Sequence, residues 1–159
     1  MASDAYAEGM AQTQLFAGPI YTIGYEGRTV QELLHELVRN GVELLIDVRL
    51  TPLSRKKGFS KNALAAALRD VGVEYRHQPG LGNPKDNREA FRKGYESARA
   101  RYRTHVTDDA QPVIDETLEM AQHQRVALLC FEREHSECHR SCITEIAQAA
   151  HPALSVHRL

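Results

Sequence analysis

Two stretches of this chain carry most of its reactive side chains. The first runs from Asp47 to Ser60. A carboxylate, Asp47, stands two residues before a guanidinium, Arg49. A proline-started loop then brings Ser54, three consecutive cations at Arg55, Lys56 and Lys57, and Gly58 before Ser60. Cations, a turn glycine and a following helix N-terminus together suit an anion, because charge, backbone N–H groups and the helix dipole all point the same way. Arg49, Ser54, Arg55 and Lys56 are therefore candidate anion-binding residues. The spacing is not that of a phosphate-binding P-loop, which needs Gly-x-x-x-x-Gly-Lys. The bland alternative is a structural Asp47–Arg49 contact beside a solvated loop.

The second stretch runs from Cys130 to Cys142 and includes Glu132, His135, Cys138, His139 and Arg140. Cys138 is expected in the first turn of a helix, where the dipole, His139 and Arg140 would favour a thiolate. Cys130 follows an apolar strand. Each thiol has two readings, a nucleophile or a small packed side chain. Glu26, Asp47 and Glu132 all follow strand ends, and crowded carboxylates there can serve as acid and base. Tyr25, His77, His139 and Arg140 complete the candidate substrate-binding set. With no Cys-x-x-Cys pair, the sequence predicts neither a metal nor another cofactor.

The elements that position these groups follow from the pattern. Residues 1–18 read as a loose tail and residues 19–159 as a single domain. Ile20–Tyr25, Glu43–Arg49, Val73–His77, Arg125–Glu132 and Ser155–Leu159 read as strands. Thr29 and Glu32 have capping-box spacing before Val30, Leu33, Leu34, Leu37 and Val38. Ser60 is placed to cap a second helix and Ser136 a last one. Asn87 to Val106 reads as one arginine-rich helix with Phe91, Tyr95, Ala98 and Tyr102 on its packed face. Val113–His123 reads as another. Strands alternating with helices predict an α/β fold, a single open, mostly parallel sheet of about five strands with helices on both faces. In such sheets ligands bind beyond the carboxyl ends of the strands, where the reactive residues collect.

Composition narrows the class. The chain is 159 residues long with a net charge of −1. From Arg49 to Arg103, however, 14 Lys/Arg face 5 Asp/Glu, a local charge of +9. Segregated cations suggest an anionic partner, a nucleotide or nucleic acid. No apolar run suits a membrane span, and three cysteines cannot all pair within one chain, so a cytoplasmic protein with reduced thiols is expected. The oligomeric state is not legible.

Several of these residues also carry a resemblance. Thr22-Ile23-Gly24-Tyr25, then Asp47-Val48-Arg49 with Pro52, Ser54, Arg55, Gly58, Phe59 and Ser60, then Tyr75 and Leu81-Gly82, then Leu128-Leu129-Cys130-x-Glu132 and Cys138-His139-Arg140 resemble the domain of unknown function (DUF) 488 family, in order, from Tyr21 to Leu159. The resemblance implies a compact bacterial or archaeal α/β domain and carries no mechanism. Asp47-Val48-Arg49 and the position of Cys130 also resemble, more weakly, the rhodanese sulfurtransferases. Phe131–Ser136 lacks the glycine-bearing active loop of those enzymes. Three functions stay open: an enzyme acting on a phosphate-bearing substrate through Cys138, Cys130 or paired carboxylates; a non-catalytic nucleic-acid-binding module; and sulfur transfer through a cysteine.

Overall fold

A computed structural model describes residues 18–159. The tail expected over residues 1–18 lies, apart from Gly18, outside the described residues. Five parallel strands form one sheet: β1 (Ile20–Gly24), β2 (Leu44–Asp47), β3 (Glu74–His77), β4 (Val126–Cys130) and β5 (Val156–Arg158). Their spatial order is β3-β2-β4-β1-β5. The helices are α1 (Val30–Arg39), α2 (Lys61–Asp70), α3 (Arg88–Arg92), α4 (Glu96–His105), α5 (Gln111–His123) and α6 (Arg140–Ala150). This is the expected α/β fold. Among the described residues no helix is long and apolar enough to cross a membrane.

The two-residue period of the strands divides the core into two layers. Ile20, Leu44, Ile46, Val126, Leu128 and Cys130 face α3–α6, against Phe91, Tyr102, Ile114, Leu118, Cys142 and Ile143. Tyr21, Ile23, Leu45, Ala127 and Leu129 face α1 and α2, against Leu33, Leu37, Phe59, Leu64 and Leu68. Burying each Leu or Ile contributes about 1.5–3 kcal/mol, so both layers are needed to hold the sheet. The same alternation sends Cys130 toward α6 and Asp47 toward α2.

Local signals behave unevenly. Thr29 and Glu32 form the full capping box of α1. Ser60 sits at the N-cap of α2 but caps nothing: its hydroxyl accepts from the Ser54 N–H and donates to the Ser54 carbonyl, closing the loop instead. The arginine-rich segment is not one helix. Gly94, with φ +78°, breaks it between α3 and α4. Helical spacing persists in the sequence across the break, yet Tyr95 turns outward and is 54% exposed, while Phe91, Ala98 and Tyr102 stay buried. The last helix begins later than Ser136 implied. A 3-10 turn at His135–Glu137 precedes it, and Cys138 lies in extended backbone (φ −111°, ψ 144°) before the first helical residue, Arg140. Cys138 is therefore not in the first turn of a helix.

His135 ties that turn to the sheet. Its Nδ1 is 3.0 Å from Thr22 Oγ1 on β1, and its Nε2 is 3.2 Å from Thr144 Oγ1 on α6. Burial, then the charges of Arg140 and Arg158, push its pKa down to about 4. An unfolded histidine titrates near 6.5. Between those values the unfolded chain holds the extra proton, so stability present above pH 6.5 is lost as pH falls toward 4, by about 3 kcal/mol from this residue. Urea melts from pH 7 to pH 4 should show that loss, and His135→Asn should remove most of it. An equal pH slope in the variant would assign the loss to other groups.

Candidate functional site

The chain leaves β2 toward β3 on one side and leaves β4 toward β5, past β1, on the other. Connections that diverge in this way open a crevice at the carboxyl ends of the two strands. A cavity of about 200 Å³ lies there. Its walls are Tyr25, Arg49, Leu50, Thr51 and Leu53 on one side, Cys130, Phe131, Glu132, Glu137 and His139 on the other, and Asn83, Arg88, Phe91 and Arg92 across the top.

One wall is built on the buried Asp47–Arg49 pair. Arg49 Nε donates to Asp47 Oδ1 at 2.8 Å and Nη2 to Oδ2 at 2.6 Å. Nη1 donates to the Phe59 carbonyl at 2.7 Å and to Tyr25 Oη at 3.3 Å. Tyr75 Oη donates to Asp47 Oδ2 at 2.6 Å. Burial works against the Arg49 charge, but the bond to Asp47 and its carboxylate hold the guanidinium pKa above its usual value. Burial and the bond to Asp47 likewise raise the Tyr75 phenol. Asp47 is wholly buried, and its carboxylate is engaged by these partners rather than directed at a ligand. Arg49 borders the crevice, but its N–H groups are directed into the wall. Tyr25 stacks on Phe59 at 4.4 Å and meets Phe131 edge-on at 5.3 Å, which makes an aromatic mouth.

The floor is a thiol–imidazole cluster. His139 Nδ1 lies 3.7 Å from Cys138 Sγ and 4.0 Å from Cys130 Sγ. His139 Nε2 is 2.9 Å from the Val48 carbonyl. A carbonyl only accepts, so Nε2 carries a proton and Nδ1 is the nitrogen turned to the sulfurs. Glu132 Oε2 is 3.4 Å from Cys130 Sγ. Arg140, 1% exposed, donates from Nε to Cys138 Sγ at 3.2 Å, from Nη1 to Thr22 Oγ1 at 2.7 Å, and from Nη2 to the Glu132 carbonyl. Gly24 lets that carbonyl in, since a Cβ there would collide with the Glu132 backbone.

These contacts separate the two thiols. A hydrogen bond to Cys138, then burial, pushes the Cys130 pKa well up. For Cys138 burial alone would act upward, but the Cys130 bond, His139 and Arg140 outweigh it, and the thiol pKa falls well below its usual value. Burial acts to lower His139, and Cys138 with the Val48 carbonyl outweighs it and raises the imidazole pKa. Cys130 borders the crevice; Cys138 lies behind it and is 1% exposed. Cys142, on the same side of the sheet, packs in the core, where burial raises its pKa.

The other candidates from the sequence sit elsewhere. Glu26 is exposed and accepts from the Arg133 backbone N–H at 3.0 Å, away from the crevice. His77 Nε2 donates to the Arg49 carbonyl at 2.7 Å and props the loop from behind. Ser54 serves the loop itself, accepting from the Lys56 N–H at 3.1 Å. Lys56 lies over the Phe59 ring at 5.6 Å, and neither it nor Arg55 borders the crevice. Arg140 and Cys138 support the floor without lining it. The structure adds Arg88, Arg92, Asn83 and Phe131. Arg88 Nε donates to the Asn83 carbonyl at 3.1 Å. Arg92 Nε pairs with Glu132 Oε1 at 3.1 Å, and its guanidinium lies 5.9 Å from the Phe131 ring centre. The only sequence signal for these arginines was their place in the basic segment.

No curated protein and no solved structure matches the chain. The family model described as "Domain of unknown function DUF488" matches residues 29–147. That span contains the Asp47–Ser60 loop, Leu81-Gly82, Cys130, Glu132 and Cys138-His139-Arg140, and every residue bordering the crevice except Tyr25. The rhodanese likeness stays one of short motifs. The chain belongs to the DUF488 family.

Proposed function

We propose that the chain is an enzyme acting on a phosphate-bearing substrate, a nucleotide or a nucleotide unit of nucleic acid, held in the crevice between β2 and β4. The observation that carries this reading is the burial of two thiols and an imidazole under an opening flanked by arginines and aromatic rings. Binding alone does not need such a cluster. Arg88 and Arg92 hold the anion. Phe131, 37% exposed, offers aromatic surface to a flat base. Cys130, rather than Cys138, is the thiol that a substrate meets, and Glu132 beside it takes or gives a proton. Three reduced thiols favour the cytoplasm as the working compartment.

The rival reading, a nucleic-acid-binding module on the basic segment, has less support. Arg99, Arg101 and Arg103 are engaged with Glu145, Asp86, and Glu96 and Glu145 respectively. Lys93 pairs with Glu89. Four cations of the basic segment are thus engaged before any partner arrives, by Glu145 from outside it and by Asp86, Glu89 and Glu96, which its +9 already counts.

A nucleoside monophosphate at 100 times its Kd should stabilise the chain by about 2.7 kcal/mol, read as a rise in Tm. Arg88→Ala should weaken that binding roughly tenfold or more, as expected for a lost charge-assisted hydrogen bond. Phe131→Ala should weaken it as well, with the unliganded Tm of both variants near the parent value. No shift with any nucleotide or short oligonucleotide would overturn the substrate class.

Cys130→Ala should abolish turnover while nucleotide binding persists, in assays of hydrolysis over a panel of nucleotides and oligonucleotides. Full turnover in the variant would remove the cluster from the chemistry. Salt-dependent nucleic-acid binding without any turnover would favour the module. One added sulfur mass on Cys130 after incubation with thiosulfate would favour sulfur transfer instead.

A further inference from the structure

The geometry points to a zinc-class metal site at the floor of the crevice, with Cys130, Cys138 and His139 as three protein ligands and a fourth position open toward the substrate. It deepens the enzyme reading above and rests on it for the substrate only; the ion site stands on the arrangement of the side chains themselves.

The first observation is the size of the triad. Cys130 Sγ, Cys138 Sγ and a His139 ring nitrogen all lie within 4.8 Å of one another. A tetrahedral zinc with Zn–S near 2.3 Å and Zn–N near 2.0–2.1 Å requires S···N edges of about 3.6 Å. The observed edges are 3.7 and 4.0 Å. The sulfur–sulfur edge is within 4.8 Å, against about 3.8 Å for two Zn–S bonds of 2.3 Å, so closing the set takes a contraction of at most about 1 Å.

The second observation is independent of that spacing. The Val48 carbonyl fixes the proton of His139 on Nε2 and leaves Nδ1 facing both sulfurs. A ligating histidine needs this outer partner to fix its tautomer and aim its lone pair. Nδ1 is thus the ring nitrogen set within 4.0 Å of both sulfurs.

The third is charge. Two thiolates, a neutral imidazole and a divalent cation sum to zero, which suits a buried position. Arg140, donating to Cys138 Sγ, stands opposite the carboxylate of Glu132 across the cluster. Thiolate and imidazole donors select zinc over magnesium or calcium, which take oxygen.

Cys130, His139 and Glu132 all border the crevice and Cys138 does not. The free coordination position therefore opens toward the substrate. Three protein ligands with an open fourth position is the arrangement of a catalytic rather than a structural zinc. A water there loses one proton to the Glu132 carboxylate. The resulting hydroxide forms a bond to the electrophilic carbon or phosphorus of the substrate. The leaving group departs with the electron pair of the broken bond and takes the proton back from Glu132. The reaction is a hydrolysis, with water as the only co-reactant.

The full chain, reduced and dialysed against zinc sulfate and then against metal-free buffer, should retain one zinc per chain. Cobalt(II) in place of zinc should give a thiolate-to-cobalt charge-transfer band, and X-ray absorption on the zinc form should show two sulfur neighbours. Cys130→Ser and His139→Asn should each lower zinc affinity by at least tenfold, with circular dichroism reporting whether the variant is folded. Glu132→Gln should keep the zinc and lose hydrolysis. A folded, reduced parent chain that retains no zinc and gives no cobalt–thiolate band overturns the site, as does equal zinc retention in folded Cys130→Ser. Nucleotide binding by the parent chain, read separately from zinc content, keeps the failure of the metal site distinct from failure of the crevice reading.

Discussion

A buried guanidinium has to be answered at its N–H groups, and Arg140 shows what that requirement builds. Its three partners are a hydroxyl on β1, a backbone carbonyl just past β4 and the sulfur of Cys138. No two of them are adjacent in sequence. A charge left uncompensated in that position would cost several kcal/mol, so the middle of β1, the loop after β4 and the start of α6 are held in one mutual placement. Gly24 belongs to the same constraint, because the carbonyl that Arg140 needs passes where a side chain would stand. Cys138 is held in the cluster by this guanidinium and by its neighbour His139, not by a helix dipole.

The opposite wall repeats the device. Arg49 is buried with Asp47, Phe59 and Tyr25 as its partners, and through them it fixes the loop after β2 and the aromatic mouth. The crevice is thus framed by two cations spent on structure. This separates two kinds of arginine that look alike in a sequence. Arg49 and Arg140 hold the site open, and Arg88, half-buried, and Arg92, paired with Glu132, stand at its rim.

The distinction explains what could be read in advance. The sheet was legible because apolar runs such as Val126–Leu129 and turn glycines punctuate the chain, and strand ends place their neighbours automatically. The capping box at Thr29 was legible because both partners lie within one helical turn. The break at Gly94 was not, since Phe91, Ala98 and Tyr102 keep helical spacing straight across it. Ser60 was misread because its competitor for the hydroxyl, Ser54, comes from a loop whose closure is a tertiary event. Asp47, Arg49 and Cys130 were found as a group because they stand at strand ends, and His139 was found as the neighbour of Cys138. Arg88 and Asn83 were not, because their approach to the crevice depends on how α3 and the turn before it lie across the sheet, and no local pattern records that; Phe131, next to Cys130, stood at a strand end but carries no reactive group to mark it.

The cluster itself is a consequence of strand parity combined with the crossing from β4 to α6. Cys130 faces α6 because it is an even step from Val126 and Leu128, which pack there. Had the strand ended one residue earlier or later, the thiol would face α2 and Asp47 instead. Given that parity, the extended backbone at Cys138 returns a second sulfur to the same side, and the Val48 carbonyl turns His139 between them. Two sulfurs and an imidazole this close cannot all be fully protonated or all be bare: either a proton is shared among them or a cation sits between them. Cys130 and His139 border the crevice, so whichever positive species occupies the cluster lies directly beneath it.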